Sequence, residues 1–355
     1  MQTSRFYPEL LSALAAVKLQ SELYRPTAFW DEASRKILEE LQEHGIENFR
    51  RLQNALGFFV PTYGIPGNSF SREQVELLRS VLGDGYPEAK KAQLALDQSL
   101  TGWAAAHADF RVLAAADQPA MLPALHTFSE SAVGKPVEQF EFEGRLYSRS
   151  ALNYLLGLAL LKRHLAPEES LNTVLEIGGG FGTLGEILAS SGLTSCRYVD
   201  VDIPPTSYVA QYYLSEVLGE ANVSTYAQTC EWAEIEIEAL RPVSVLCAWQ
   251  IEKLRGPVDL FVNFISFQEM EPHVVRNYLW HVDRLRARWI LLRNMREGKQ
   301  KRSANHRVGV ETPILAEDYL AMLPEYELVE RNVLPFGYCT VDGYHSELFV
   351  LRRKY

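Results

Sequence analysis

Cysteine is scarce in this chain, and the few cysteines are scattered. The 355 residues include four, far apart, with neither a CxxC pair nor a Cys/His cluster: Cys196, Cys230, Cys247 and Cys339. A disulfide framework or a zinc site needs a closer and more regular spacing of thiols. The pattern therefore argues against both and predicts free thiols in a reducing compartment.

Long apolar runs and an excess of positive charge are also missing. No apolar stretch approaches the ~20 residues that cross a bilayer as a helix. Glu9 interrupts the apolar residues near the start, which has no convincing cleavage site and predicts an amphipathic helix rather than a signal peptide. The 45 acidic residues outnumber the 35 Lys and Arg, and a net charge of −10 argues against general nucleic-acid binding. We expect a cytoplasmic protein with neither membrane nor nucleic-acid partners.

The first part of the chain predicts a mostly helical domain. Apolar residues recur at helical spacing near its start, among them Leu10, Leu14 and Val17. Thr27 precedes a second helical pattern and should cap that helix. Further predicted elements are a loop at 66–68, helices over 71–82 and 87–115, and a hairpin near 139–147. We expect residues 1–147 to form a lid domain whose apolar helices could pair two chains in a homodimer, and residues 148–355 to form a second domain.

Strands alternate with helices in the predicted second domain. Ser148 or Ser150 can cap an apolar helix over 151–165. Seven apolar runs then predict strands at 173–177, 197–202, 243–247, 259–265, 289–292, 326–333 and 347–351. Helical patterns between most of them are typical of a parallel sheet, but the last connection has none, so the final strand should run antiparallel at the edge. The sequence predicts an α/β fold with a Rossmann-like sheet of six parallel strands and one reversed strand.

A glycine-rich turn follows the first predicted strand. Residues 174–183 read Val-Leu-Glu-Ile-Gly-Gly-Gly-Phe-Gly-Thr, a buried strand, a tight loop and the start of a helix. Three glycines lack the Cβ atom that would keep a ligand from the backbone: Gly178, Gly180 and Gly182. The last two, with Gly185, also satisfy the GxGxxG spacing of dinucleotide sites. Glu176 disfavours that alternative because a carboxylate repels a pyrophosphate, whereas it attracts the ammonium group of S-adenosylmethionine (SAM).

Polar residues after the second and third strands complete the predicted donor site. Asp202 ends the second strand about 20 residues beyond the glycines, where an acid can bind ribose hydroxyls. Asp200 lies on the same face of that strand and is the second choice. Trp249 and Gln250 follow the third strand, and we expect them to stack on and hydrogen-bond the adenine, although a Trp is as often a core residue.

Several segments outside the glycine loop are more specific to one protein family than the loop itself. They are VDIPP at 201–205 with AQYYL at 210–214, DLFVN at 259–263 leading to SFQEM at 266–270, and the upstream stretches 58–63 and 147–155. Over about residues 45–355 the chain resembles the sugar O-methyltransferases within the class I SAM-dependent methyltransferases. The resemblance implies SAM as cofactor and a hydroxyl acceptor on a sugar or glycosylated metabolite. Two alternatives stay open: methylation of a non-sugar natural product at O, N or C, and a SAM-binding protein without catalysis.

The residues after the fourth strand depart from the pattern of many small-molecule O-methyltransferases. Those enzymes have a catalytic histidine there, in Leu-His-Asp, where this chain has Phe267, Gln268 and Glu269. Gln268 cannot act as a base and is predicted to contact the substrate. We expect the acceptor proton to go to Glu269, His273 or His345, which all belong to segments at the open end of the sheet. For both histidines an ordinary surface or strand-end position is the competing interpretation.

The remaining candidates concern the acceptor and a metal. Tyr147 or Tyr63 of the lid domain should face the site. A basic run follows the fifth strand: Arg293, Arg296, Lys299, Lys301, Arg302 and Arg307. Such a run is usually a solvated face, but it could clamp an anionic acceptor, with Arg296 as the candidate. No spacing singles out a metal site, although Asp200, Glu269 and His273 could supply ligands.

Overall fold

The computed structural model describes residues 7–64, 76–78, 80–81, 90–303, 309–340 and 343–354, with only the backbone of Ala28 and Ala92. The predicted loop at 66–68, most of the predicted helix over 71–82 and Arg307 of the basic run lie outside these residues. Among the described helices, none has the length and hydrophobicity needed to cross a membrane.

The N-terminal part is helical, as its periodicity predicts. The α-helices with described bounds are α1 (Pro8–Val17), α2 (Ala28–His44), α3 (Gln53–Phe58), α4 (Lys90–Leu100), α5 (Trp103–Ala116), α6 (Arg149–Lys162), α7 (Thr183–Ser190), α8 (Thr206–Leu218), α9 (Tyr226–Thr229), α10 (Pro272–Arg284) and α11 (Ala316–Ala321). The helix predicted over 87–115 is divided at Gly102, whose φ of +79° ends a helix. Ser148 caps α6, with its hydroxyl accepting from the amide of Ala151 at 3.3 Å.

The strands fall in one large sheet and two small ones. They are β1 (Phe140–Phe142), β2 (Arg145–Tyr147), β3 (Thr173–Ile177), β4 (Arg197–Asp202), β5 (Val223–Ser224), β6 (Ile235–Glu236), β7 (Val243–Cys247), β8 (Leu254–Arg255), β9 (Leu260–Phe264), β10 (Trp289–Met295), β11 (Tyr326–Asn332), β12 (Tyr338–Cys339) and β13 (His345–Arg353). The pairs β1–β2 and β6–β8 stand alone, and the first is the predicted hairpin. The remaining strands form the central sheet.

The central sheet is mainly parallel, which confirms the α/β prediction. Its order is β11-β13-β10-β9-β3-β4-β7-β5, with β12 also paired to β13. All neighbours from β10 to β5 are parallel, whereas β13 runs antiparallel to both β10 and β11. The reversed final strand was therefore predicted correctly, but its position at the edge was wrong, because it lies between β10 and β11. The sheet also has two more strands than predicted, the two-residue strands β5 and β12.

The N-terminal helices pack directly on the sheet. One core joins apolar residues of α2, α3 and α5 to those of α6, α7 and α8 and to one face of the sheet. A second core on the other face includes Ala13 and Val17 of α1. Leu10, Ala13 and Val17 of α1 are thus already buried within the chain, whereas Leu11 and Leu14 are partly exposed. Pairing of two chains through these helices stays a prediction, as does the domain boundary after residue 147.

Candidate active site

A cavity of about 340 Å³ opens at the carboxyl ends of β3, β4, β9 and β10. This is the edge where open α/β sheets bind ligands. The volume is at the lower end of the ~300–1,000 Å³ usual for small-molecule sites. The glycine loop forms one side of the cavity, and residues of the N-terminal part, among them Trp30 of α2, Phe58 of α3 and Thr62 beyond α3, form the other side.

The N-terminal helices are fixed to the site by a specific hydrogen bond. Thr27 was predicted to cap α2, but its side chain makes no such bond. Instead its hydroxyl donates to the carbonyl of Glu269 at 3.2 Å. This bond ties the start of α2 to the loop after β9, with both residues on the cavity wall. The N-terminal segment therefore has a defined contact with the loop after β9, and its role as a lid stays a prediction.

The backbone of the glycine loop lies close to its neighbours, and side chains would not fit at two of its positions. Gly178 has a φ of +73°, and a Cβ there would lie 2.2 Å from the hydroxyl oxygen of Ser266. A Cβ on Gly179 would lie 2.6 Å from Asp200 Oδ1 and 2.8 Å from Glu176 Oε2. Gly178 and Gly180 line the cavity, whereas Gly182 precedes α7 and packs on Leu214 instead.

Three carboxylates converge at the ends of β3 and β4, next to this loop. Glu176 and Asp200 are paired in register on the adjacent strands and are fully buried. Asp200 Oδ1 accepts from the amide of Gly179 at 3.1 Å, while its buried Oδ2 has no partner. Asp202 lines the cavity and accepts from the amides of Gly180 at 3.3 Å and Ile203 at 2.6 Å. Within the described chain no Lys, Arg or His is hydrogen-bonded to any of the three.

The pKa values of all three carboxyl groups are raised, chiefly by burial. Burial raises the pKa of Glu176 to about 7, with the negative charge of Asp202 adding to the effect. Burial likewise raises the pKa of Asp202 to about 7. The pKa of Asp200 is raised well above its ordinary value by burial and by the charges of both neighbours. A positive group brought to this cluster would be stabilised by all three carboxylates.

Glu176 lies just below the cavity and not on its wall. Its two carboxylate oxygens accept from the hydroxyls of Tyr154 at 2.6 Å and Tyr198 at 2.5 Å. Tyr154 lines the cavity and stacks on Phe264, with ring centroids 4.8 Å apart. Glu176 thus acts on the cavity through its charge and through Tyr154, and its direct contact with a donor stays a prediction.

The two residues predicted to bind adenine are engaged elsewhere. Gln250 is fully buried, where its Oε1 accepts from the amide of Cys247 at 2.8 Å and its Nε2 donates to the hydroxyl of Thr229 at 3.0 Å. Trp249 packs edge-on against Tyr226, with centroids 5.8 Å apart. Neither lines the cavity. The short turn after β7 directs both side chains into the protein, so the cavity wall near Asp202 is formed instead by Ile203 and other residues that the sequence did not single out.

Of the predicted catalytic residues, Glu269 alone lies on the cavity wall. Its carboxylate pairs with Lys299 Nζ at 2.9 Å, and both residues line the cavity. His273 is exposed near the start of α10, and His345 pairs through Nδ1 with Glu297 at 2.6 Å on the surface. Neither histidine lines the cavity. The structure therefore favours the surface interpretation of both.

The residues predicted to contact the substrate also differ in whether they line the cavity. Gln268 lines the cavity, and its side chain accepts from the amide of Met295 at 2.7 Å, which holds it in place. Arg296 points away and pairs with Glu347 at 2.8 Å. Tyr147 is 2% exposed and belongs to an aromatic cluster with Phe110 and Phe142. Tyr147 is therefore a core residue, and Arg296 lies outside the cavity.

The sequence analysis did not predict that helix α6 lines the cavity. Arg149, Ser150, Asn153 and Tyr154 recur at helical spacing on it and all line the cavity. The pattern that predicted this helix was its apolar face, and these polar side chains within an apolar helix were the available signal. Among the described residues no group of three or more His, Cys, Asp or Glu is arranged to hold a metal ion.

No family model matches the chain, and no curated protein matches it either. Among solved structures, similarity extends to the magnesium protoporphyrin IX methyltransferase of Synechocystis PCC 6803 with bound SAM, at 14% identity and a TM-score of 0.37 over 57% of this chain and 79% of that one. The N-methyltransferase NodS of Bradyrhizobium japonicum WM9 is 16% identical, with a TM-score of 0.34 over 58% of this chain and 95% of that one. The mitomycin 7-O-methyltransferase MmcR is 14% identical, with a TM-score of 0.36 over 96% of this chain and 76% of that one. These scores are low, so the similarities carry no argument about function.

Proposed function

We propose that the chain is a class I SAM-dependent methyltransferase that methylates a hydroxyl of a small molecule, a sugar or glycosylated metabolite. The observation that carries this proposal is the cluster of carboxyl groups beside the glycine loop, which consists of the buried Glu176 and Asp200 and the partly exposed Asp202 on the cavity wall. Buried charges in proteins are normally paired, and this cluster has no cation of its own among the described residues. A cationic ligand would supply the partner.

The residues present fit the methyl donor. When bound, SAM supplies a methyl group activated by a sulfonium, together with an ammonium group. Asp202 is on the cavity wall, where it can accept from the ligand's ribose hydroxyls or ammonium. Gly178 and Gly180 let the ligand approach the backbone closely. A dinucleotide would place its pyrophosphate beside three carboxylates, an arrangement that costs electrostatic energy.

The reaction needs alignment of the acceptor and a destination for its proton. Bound SAM would supply the methyl group, so the acceptor hydroxyl would have to lie in line with it, and the hydroxyl proton would pass to a base. Glu269 is the base in this proposal, because it alone of the predicted candidates lines the cavity. The Lys299 ion pair holds its carboxylate in position. Positioning can contribute ~7–11 kcal/mol and a general base ~10²–10⁴-fold, so alignment carries the larger share.

The cavity wall fits a hydroxylated acceptor. Hydrogen-bonding side chains, among them Asn153 and Gln268, lie beside the aromatic residues Trp30, Phe58 and Phe264. Small-molecule sites commonly combine a few placed polar groups with apolar surface in this way. A cytoplasmic location and a possible homodimer are carried over from the sequence as parts of the proposal.

The proposal is tested by measuring product formation. Purified protein is incubated with SAM and a panel of free sugars, glycosides, nucleotide sugars and phenolic glycosides, and S-adenosylhomocysteine (SAH) and methylated products are quantified by mass spectrometry. We expect SAH to accumulate only with a hydroxylated acceptor, and to depend on Glu269 but not on His273. Binding of SAM without turnover of any acceptor class would support a non-catalytic SAM-binding protein instead, and transfer to nitrogen or carbon would correct the acceptor atom.

A further inference from the structure

An arginine lies on the cavity wall away from the carboxylate cluster. Arg149 lines the cavity, and its Nη1 donates to the carbonyl of Thr62 at 2.7 Å. Its guanidinium lies 5.0 Å from the ring centroid of Tyr338 and 5.4 Å from that of Tyr63. These contacts hold the charge in a fixed place, since the guanidinium stacks on two aromatic rings. Within the described chain no carboxylate forms an ion pair with it.

A second arginine lies behind this wall. Arg293 is 1% exposed, with Nε donating to the hydroxyl of Ser346 at 3.0 Å and Nη1 to the carbonyl of Asn153 at 3.1 Å. Its guanidinium is 5.3 Å from the ring centroid of Tyr338, the same ring that Arg149 contacts. Burial lowers the pKa of Arg293, and the positive charge of Arg149 contributes in the same direction. Two guanidinium groups thus share one aromatic neighbour, an arrangement that an anion would stabilise.

The nearby negative charge is only partly available to balance them. Asp109 interacts electrostatically with both arginines, but its carboxylate accepts a hydrogen bond from the Tyr63 hydroxyl and contacts neither guanidinium directly. Burial raises the pKa of Asp109, so ionisation of this carboxyl is disfavoured. Glu138 also interacts electrostatically with Arg149, but its carboxylate accepts hydrogen bonds from the amides of Tyr63 and Gly64, and burial raises its pKa. Ionisation of both carboxyls near the two arginines is therefore disfavoured.

Helix α6 connects the two charged ends. Arg149 and Tyr154 both line the cavity and are five residues apart, a rise of about 7.5 Å along the helix axis. Tyr154 donates to Glu176 in the carboxylate cluster, whereas Arg149 is part of the arginine pair. The cavity thus has an acidic end at the glycine loop and a basic end at Thr62 and Tyr338.

We propose that the acceptor carries an anionic group, a carboxylate or a phosphate, that binds Arg149 at the basic end of the cavity. The charge of the buried Arg293 adds to the positive electrostatic potential there. This proposal rests on the proposed function and names the class of acceptor. It differs from a clamp by the basic run predicted after the fifth strand, because Arg296 of that run is paired with Glu347 outside the cavity. The other cations on the wall differ from Arg149: Lys299 pairs with Glu269, and Arg25 is exposed, with its Nε donating to the carbonyl of its near neighbour Gln20.

The test compares charged and neutral sugars of the same ring size. Glucose 6-phosphate, glucuronate and glucose are titrated by calorimetry into the protein with and without SAH, at constant ionic strength set by chloride. We expect both charged sugars to bind more tightly than glucose, and their ratio tells phosphate from carboxylate. Arg149→Gln should weaken the charged sugars by on the order of 10- to 100-fold, as expected for a hydrogen bond to a charged group, and leave glucose unchanged. Arg149→Lys should retain part of the preference, and Arg296→Gln, the matched control, all of it.

Several results would overturn the proposal. They are equal binding of glucose and its charged analogues, failure of both charged sugars to bind at millimolar concentration, and an equal loss for charged and neutral sugars in Arg149→Gln. The comparison on the wild-type protein needs no variant, so misfolding of Arg149→Gln would not leave the question open. Failure of the proposed function is recognised separately, as absence of SAH binding, because the sugar titrations are also run without SAH.

Discussion

Donor binding should strengthen steeply as the pH rises toward neutrality. In the free protein, burial raises the pKa of both Glu176 and Asp202 to about 7, so below that pH these carboxyls hold protons. A positive ligand favours their ionised forms, and binding therefore releases protons. By the same linkage the ligand-free protein should lose stability as the pH rises from about 4.5 to about 7, because its folded state binds more protons than the unfolded chain.

The size of the change in donor affinity with pH follows from the change in carboxyl pKa on binding. A carboxyl whose pKa returns from about 7 to its ordinary value of 4.5 on binding gives about tenfold in affinity per pH unit between those limits. Since the two carboxyls are close together and share the effect, we take one released proton as the expected value. The dissociation constant should then fall about 10²-fold from pH 5 to pH 7 and level off above it. Above about pH 8 the amino group of the ligand loses its own proton and affinity should fall again.

Calorimetry measures both quantities. SAH is titrated at several pH values, each in two buffers with different ionisation enthalpies, which yields the dissociation constant and the number of protons released. Asp202→Asn should reduce the slope, while Glu317→Gln, a control at an exposed glutamate, should leave it unchanged. A dissociation constant independent of pH, with no proton exchange, would refute the claim that the carboxylate cluster binds the positive group.

Three further substitutions test separate parts of the site. Tyr154→Phe removes one donor from buried Glu176 and should lower the unfolding free energy by about 1–3 kcal/mol; an unchanged urea midpoint would contradict this. Gly178→Ala places a Cβ 2.2 Å from Ser266 Oγ at a φ of +73°, and equilibrium titration should show SAH binding weakened by at least about 10-fold; wild-type affinity would show that the loop tolerates a side chain. Glu269→Gln should reduce kcat by ~10²–10⁴-fold with unaltered SAH affinity, whereas His273→Ala should stay within a few-fold of wild type; the reverse ranking would assign the base to the histidine.

The fold was largely predictable because most strands of the central sheet are buried segments rich in apolar residues, with helical patterns between them. Strands β3, β4 and β7 have the predicted bounds, and the lack of a helical pattern before β13 indicated its reversed direction. The insertion of β13 between β10 and β11 was not predictable, because hydrophobic periodicity reports which residues are buried and not which strands are neighbours. Strands β5 and β12 have two residues each, too few to show any period.

The site was predictable where the rule for open sheets applies directly. Asp202, Gly178 and Glu269 follow strand ends and line the cavity. The rule fails for Gln250, because a residue after a strand can turn inward, and here it bonds the backbone of its own turn. Arg149 was missed because a cation at the start of an apolar helix gives no sign in sequence of which neighbour it faces.

The most direct test of the central claim is a competition between two ligands for the cavity. SAM and NAD⁺ are each titrated into the protein near neutral pH while its melting temperature is recorded, and the titrations are repeated with Asp202→Asn. The account predicts that SAM raises the melting temperature in a concentration-dependent way, that NAD⁺ does not, and that Asp202→Asn weakens the SAM effect. Stabilisation by NAD⁺ and none by SAM would contradict it.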